Sequence, residues 1–579
     1  MINNGTNFLG VTVLPEESID SVLRKISKES KSVAHPGIAV ILDSQGIVLG
    51  VVTDGDIRRA YVNNISFDQE ISQIMTRDPI TILEQVKAED VKLEISRKVQ
   101  LSERLHAKWV RHILVVNKKN QLVDVIDYLE ILQHNASLVK RVVVFGMGYV
   151  GITLSVSLAN QGHQVTGIDI ESTIIERLND GRSHILEPGL PDMLTANLKR
   201  KSIGFTTKLN SNLDSVYVIA VGTPLNSESK PDMSALHNVL DIISEVLEHG
   251  NQVMLRSTVP VGVTRDFVIP YLEKKTGLKA GVNFYVSFAP ERTIEGDAMN
   301  ELKTLPQIVG GYTPECARNS VEFWSTLTPF VIRVDKLEAA ELVKLANNTF
   351  RDLTFSFANE LALLSDQFNV NSFDLISAAN EGYPRDKIPF PSPGVGGYCL
   401  TKDPILFSAT SKGLRDDAVL GISSRKINER AILYPIDLMG RYVKKIQKPL
   451  SKVNVLIVGV AFKGVPETKD IRGSVSIDLF NKISELVSNV FAWDAIISSD
   501  ELEIMGFKVM ESLKDAVYNA DIVLIMNNHP DNVDSSMYVE PIHRKLLFDG
   551  WNQLNRLEVE KVPGLIYSTM GYMTEQDKI

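Results

Sequence analysis

Val142-Val143-Val144-Phe145-Gly146-Met147-Gly148-Tyr149-Val150-Gly151-Ile152-Thr153-Leu154-Ser155-Val156-Ser157-Leu158-Ala159 is the stretch that decides the fold. A β-branched run leads into Gly-x-Gly-x-x-Gly, and the apolar residues after the third glycine read as a helix. Strand, loop and helix start in that order aim backbone N–H groups and the helix dipole at a pyrophosphate. The candidate cofactor residues here are Gly146, Gly148, Tyr149, Val150 and Gly151. The following strand, Gln164-Val165-Thr166-Gly167-Ile168, ends at Asp169, 18 residues beyond Gly151. A carboxylate there accepts hydrogen bonds from both ribose hydroxyls and repels a 2′-phosphate, which predicts NAD rather than NADP.

Working outward, short β-branched runs alternate with helical stretches up to about Asp335, the pattern of a parallel sheet wrapped by helices. Val216-Tyr217-Val218-Ile219-Ala220 and Gln252-Val253-Met254-Leu255 are further strands of this series. Residues 336 to 380 contain no proline and predict one long connecting helix, followed by a proline- and glycine-rich loop from Tyr383 to Gly397. After Pro449 a second series opens with Val453-Asn454-Val455-Leu456-Ile457-Val458-Gly459. The expected class is α/β, with two Rossmann-like lobes joined by a long helical connector.

In front of these lobes an α+β module repeats one pattern twice. Gly37 to Leu42, a turn at Asp43–Gly46, Ile47 to Val52 and a helix start at Thr53-Asp54-Gly55-Asp56 form the first copy. His112 to Val116, a turn at Asn117–Asn120 and Gln121 to Asp127 form the second. The module resembles a CBS pair, a regulatory unit that often binds adenine nucleotides. The expected domains are 1–137 (CBS pair), 138–335 (NAD-binding), 336–449 (central, catalytic and dimerising) and 450–579 (UDP-sugar-binding).

Composition narrows the function. The 579 residues exceed one core, and 44% hydrophobic with 23% charged residues is ordinary globular usage. A net charge of −10 argues against nonspecific nucleic-acid binding. No signal peptide or membrane span is legible, so a cytoplasmic location is expected. Two cysteines, Cys316 and Cys399, exclude a disulfide framework and argue against a thiolate metal site. Cys316 begins an ordinary helix and reads as structural. Cys399 follows Gly394-Val395-Gly396-Gly397-Tyr398, where glycines permit close approach to a substrate. A helix opening just after it, together with Lys402, would lower the thiol, and Asp403 is placed to act as a base or position water. Locally, a packing role for Cys399 stays open.

The matches from Arg141 onward, spread over about 440 residues in order, resemble the UDP-glucose/GDP-mannose dehydrogenase family. They are Gly146–Gly151, Glu187-Pro188-Gly189-Leu190, Gly222-Thr223-Pro224, Ser257-Thr258-Val259-Pro260, Pro290-Glu291-Arg292 with Glu295-Gly296, Glu341 to Asn348, Gly396 to Cys399 with Lys402-Asp403, and Ala461-Phe462-Lys463 with Asp470-Ile471-Arg472. The resemblance implies a four-electron oxidation of a sugar C6 alcohol through a Cys399 thiohemiacetal and thioester. It implies Lys344 and Asn348 as oxyanion holders, and Glu291, Thr258 and Asp403 as groups moving protons through water, with Asp403 also steering Lys344. Thr223, Thr258 and Glu295 would line the cofactor. Gly396, Lys463 and Arg472 would hold the substrate, and Arg385 would be donated to a neighbouring subunit of a homodimer or larger homo-oligomer.

Asn348-Thr349-Phe350-Arg351-Asp352 resembles the acetamido-sugar branch, with Arg351 able to bond an acetamido carbonyl or a diphosphate oxygen. A UDP-N-acetylhexosamine, gluco or manno, is therefore expected, with UDP-glucose the alternative. Thr53 and Asp56 match the CBS residues that hold an adenosine ribose. The second copy has Asp127 and Glu130 there, without the hydroxyl. The module is then either an allosteric nucleotide sensor or an oligomerisation platform. A simple two-electron dehydrogenase would need no cysteine. A regulatory protein on a degenerate fold would be free to lose Lys344, Asn348, Cys399 or Asp403, yet all four are present.

Overall fold

The computed structural model describes residues 11–29, 37–63, 65–77, 79–86, 112–127, 139–209, 216–328, 330–410, 418–510, 512–534, 536, 538 and 545–574. The chain forms two compact units. One is residues 1–139 with 303–307 and 321–333; the other is 140–302, 308–320 and 334–579.

The front module is an internal repeat down to its irregularities. Val11–Val13 lies parallel to Ile38–Leu42, which turns back as Val48–Thr53; Thr81–Leu83 lies parallel to His112–Val116, which turns back as Leu122–Asp127. Both hairpins shift register at the same point, Ile41/Leu42 and Val115/Val116. Both turns end in a left-handed residue, Gly46 (φ 78°) and Asn120 (φ 59°). An Ile47–Gln121 bridge joins the copies over a shared cluster of Val40, Val48, Leu114, Val116 and Val125. The helix Asp54–Val62 starts where the sequence pattern puts it. Glu130 lies outside the described residues.

In the first lobe six strands run parallel in the order Tyr285–Phe288, Gln252–Leu255, Val216–Ile219, Arg141–Phe145, Gln164–Ile168, Ile203–Thr206. Their nearly continuous burial is what helices on both faces require. The winding reverses between Arg141–Phe145 and Val216–Ile219, so a crevice opens at the carboxyl ends of these strands, beside the glycine loop.

The predicted single helix over 336–380 is two. The connector helix runs Leu337–Gln367 and a second spans Ser372–Asn380. Asn369 turns left-handed (φ 52°), and the Asn371 side chain accepts from the backbone N–H groups of Phe373 and Asp374. Asparagine is the ordinary residue that visits this region and caps a new helix, so the break is written in two residues that a periodicity scan passes over. Helices Asp403–Ala409 and Val419–Ala431 pack on the connector.

The second lobe has five parallel strands, Asn489–Trp493, Asn454–Val458, Ile522–Ile525, Lys545–Asp549 and Leu565–Thr569, with Tyr572–Met573 antiparallel at the edge. Its first turn copies that of the first lobe. Gly146 (φ 90°) donates to Ile168 O at 2.7 Å, and Gly459 (φ 88°) donates to Trp493 O at 2.8 Å. Asp169 accepts from Met147 N, and Asp494 from Val460 N, each at 2.6 Å. Among the described residues no helix is long and apolar enough to cross a membrane.

Replacing Asn371 with alanine removes the cap between the two connector helices. A loss of about 1 kcal/mol of stability is expected, read as a lower melting temperature.

Candidate functional site

The three glycines of the loop do different work. A Cβ on Gly151 would sit 1.7 Å from Gly146 O, so glycine is what allows helix and turn to pack. At Gly148 a Cβ meets nothing within 4 Å: this backbone faces open space, as a pyrophosphate seat must. Val150 is half-buried in the first helical turn. Tyr149 is turned away from the loop; its hydroxyl bonds Glu187 and accepts from Gly296 N at 2.8 Å. Asp169 also accepts from Glu171 N at 3.0 Å, leaving each carboxylate oxygen one further lone pair for a ribose. These features fit NAD. Thr223 donates to the Thr258 carbonyl, fixing two strand ends together, and the Thr258 side chain is half-buried.

Lys344, Asn348 and Asp352 recur every fourth residue on one face of the connector helix. Lys344 is buried and, among the described residues, its ammonium has no hydrogen bond or ion pair. Its charge acts on both Glu291 and Cys399. Asn348 Nδ2 donates to Asp403 Oδ2 at 2.6 Å, and Lys402 Nζ donates to Asp403 Oδ1 at 2.6 Å. Asp403 therefore steers Asn348 and Lys402, not Lys344 as the resemblance implied. Both of its oxygens are already engaged by adjacent donors.

Cys399 departs from expectation in a second way. The helix after it starts only at Asp403, and the Cys399 carbonyl receives the Asp403 N–H at 2.9 Å, so the thiol lies before the first turn and gains little from the dipole. Although Cys399 is open to solvent, crowding by neighbouring atoms pushes its thiol up; Lys344 opposes this most, Asp403 adds to it and Lys402 opposes it. Cys316 is buried and bonded to Val286 N and Thr313, as a structural cysteine should be.

The two lobes meet in this unit at a latch. Gly396 and Gly397 lie against Gly473, where a Cβ on Gly396 would come within 2.4 Å of its carbonyl. Lys463 Nζ donates to Glu295 O at 2.6 Å; Arg472 pairs with Asp470 at 2.6 Å and lies 3.5 Å from Glu295, over the Tyr398 ring. Burial, then Asp470, push the Glu295 carboxyl up to about 7 against Arg472 and Lys463. Arg351 is exposed, stacked on Phe355, and near enough to Lys463 to lower it, after burial and against Glu295. A cavity of about 490 Å³ opens among Leu186, Glu187, Gly189, Gly296 and Glu467. Arg385 is exposed on its loop and stacks on Tyr383.

The sequence reading missed Arg256. Its side chain is 1% exposed, and it donates to Glu291 Oε2 through Nε at 2.9 Å and also through Nη2, with Nη1 on Ala289 O at 3.2 Å. The signal was present: an arginine directly after a wholly buried strand needs a partner. In the front module Thr53 and Asp56 come together, but as a helix cap. Thr53 Oγ1 donates to Asp56 Oδ2 at 2.7 Å, and Arg59 holds Asp56 Oδ1 at 2.5 Å.

Residues 140–328 match the NAD binding domain of the UDP-glucose/GDP-mannose dehydrogenase family, 338–430 its central domain and 456–556 its UDP binding domain. Residues 10–63 and 71–137 match the CBS domain. A UDP-N-acetyl-D-mannosamine dehydrogenase of Pyrococcus horikoshii is 33% identical over 74% of this chain and 99% of its own length. A solved UDP-N-acetyl-mannosamine dehydrogenase from Staphylococcus aureus superposes with a TM-score of 0.64 at 30% identity, covering 74% of this chain and 98% of that one. A UDP-glucose dehydrogenase from Pyrobaculum islandicum gives 0.65 at 26%, covering 76% and 99%.

Gly148→Ala should leave the melting temperature unchanged while weakening NAD about tenfold, and Gly151→Ala should destabilise the fold by about 1–3 kcal/mol or more. Calorimetry with and without NAD separates the two. Because the folded form keeps the Glu295 proton that an unfolded chain releases near 4.5, stability should fall as pH rises from 4.5 to about 7. Glu295→Gln removes that loss, so its melting temperature should exceed wild type by a margin that widens over the same window.

Proposed function

Given that the chain belongs to the UDP-glucose/GDP-mannose dehydrogenase family and is an NAD-dependent nucleotide-sugar dehydrogenase, we propose that it oxidises C6 of UDP-N-acetylmannosamine to the carboxylate. The substrate choice rests on the UDP-N-acetylmannosamine dehydrogenases among its relatives and on Arg351, whose charge reaches Lys463; two such cations suit a diphosphate and an acetamido carbonyl. NAD, when bound, would accept one hydride in each oxidation. The glycine loop and Asp169 would hold it, with Thr223, Thr258 and Glu295 beside its reactive end.

The observation that carries the reading is Lys344, a buried cation whose ammonium has no hydrogen-bond or ion-pair partner among the described residues and whose field falls on Cys399. Such a cation stabilises an anion that appears only during reaction. After the first oxidation the Cys399 thiolate forms a C–S bond to the C6 aldehyde, and Lys344 with Asn348 holds the resulting oxyanion. After the second, the product is a thioester. Water adds to its carbonyl, the C–S bond breaks, Cys399 leaves as thiolate and the uronate carries the new oxygen. Asp403 holds Asn348 for this task, Thr258 would position the water through which protons move, and the charge of Glu291 acts on Lys344.

A homodimer or larger assembly would use the outer face of the connector helix. Leu342, Phe350, Phe357 and Leu364 are exposed along it at spacings of seven to eight residues, with Phe368 exposed at its C-cap, an apolar stripe suited to burial against a partner. Arg385 would then enter a neighbour's site.

Two NADH per UDP-N-acetylmannosamine are expected, with lower kcat/KM for the gluco epimer, UDP-glucose and GDP-mannose, and no complete turnover by Cys399→Ser. One NADH per sugar from an enzyme indifferent to that substitution would reject the mechanism. Lys344→Met should raise the thiol further, so alkylation of Cys399 by iodoacetamide at fixed neutral pH should slow several-fold.

A further inference from the structure

Glu291 is saturated. Oε2 accepts from Arg256 Nε and Nη2, and Oε1 accepts from the backbone N–H groups of Arg292 and Thr293, each at 2.7 Å. Four hydrogen bonds fill the lone-pair sites of a carboxylate, and a proton added to either oxygen would displace one of them. The Arg256 guanidinium is in turn anchored to Ala289 O, and its backbone N donates to Ile219 O at 2.9 Å. Ser257, next in the chain, donates to Val221 O at 2.6 Å, so the arginine is held from its own strand as well as from its tip.

From this geometry we infer that Arg256 is a positioning residue: it keeps Glu291 an immobile anion whose charge faces Lys344, and Glu291 itself does not exchange a proton during turnover. The inference rests on the reading of Lys344 given above. Around Glu291 the charged groups are Arg256, Lys344, Arg292 and Glu301. Burial acts most strongly on this carboxyl and would raise it, yet Arg256, the Thr293 N–H and Lys344 together hold it below the usual carboxylate range. Arg256 is the largest of these opposing influences, and it is the one a single substitution removes. A lysine in its place keeps the charge but cannot present two donors to one oxygen in a fixed plane. Arginine is thus needed for direction as well as for sign.

Arg256→Met, Arg256→Lys and wild type are compared as full-length enzyme with NAD and UDP-N-acetylmannosamine. Arg256→Met should lose about 100-fold in kcat at neutral pH, as misplaced groups do. Its kcat/KM should also gain a one-proton fall toward low pH that wild type lacks, because Glu291 now titrates. Arg256→Lys should abolish that extra fall while restoring only part of kcat. A loss equal at every pH and equal in both variants would overturn the inference and leave Arg256 as a structural tie. If Arg256→Met does not fold, Arg256→Lys decides alone. A lower kcat with KM for the sugar within about twofold supports positioning, and a higher KM at unchanged kcat refutes it. The NADH count in wild type is read separately: one per sugar defeats the proposed reaction, whereas two per sugar with pH-independent variants defeats only this inference.

Discussion

Asp352 carries a carboxylate into the interior of the connector helix with no exposure to solvent, and the donors it collects there determine where the cysteine loop lies. Ser424 Oγ, Arg425 Nη1 and Asn428 Nδ2 reach it at 2.7, 2.8 and 2.8 Å from a single neighbouring helix. Arg425 Nη1 also holds Val395 O at 3.2 Å, and Asn359, two turns along, accepts from Ser392 N. A buried charge stripped of its partner is expensive, so connector, neighbouring helix and the segment before Cys399 are tied into one geometry. Stability alone would be served as well by apolar packing. The polar network adds direction.

That direction matters because the groups assigned to the proposed reaction come from far apart in the chain. Lys344 and Asn348 lie on the connector, Cys399 on the glycine-rich loop and Asp403 at the start of the helix that follows it, Glu291 and Thr258 just beyond strand ends of the first lobe, and Lys463 and Arg472 on the second. Each pairing of opposite charges leaves Lys344 out: Asp403 takes Lys402, Glu291 takes Arg256, Asp470 takes Arg472. An ammonium left over in a buried site has its full field available to an anion formed there.

The two lobes use one turn for different ends. Gly146 and Gly459 share their left-handed backbone, and the residue after each donates to an aspartate, yet a Cβ on Gly459 would fall 2.4 Å from Asn527, and the buried Ala461 stands where the first lobe has the open Gly148. Glycine geometry in the second lobe serves packing, and its loop from Lys463 to Arg472 turns instead toward Glu295 and Tyr398.

By itself the sequence determined whatever depends on residues close in the chain: the strand–glycine–helix unit, the acid after the second strand, the doubled front module and the helical spacing of Lys344 and Asn348. Local hydrogen bonding and periodicity set these, so they were legible without neighbours. The break at Asn369 and Asn371 was equally local, but it is carried by cap chemistry that hydrophobic spacing ignores. Only the tertiary structure decided the partner of Asp403, the direction of the Cys399 shift and the tie between Arg256 and Glu291. Each is a competition among charges brought together by folding across 35 to 55 residues of sequence, and its outcome turns on differences of an ångström in distance and on burial. Neither quantity exists until the chain has packed.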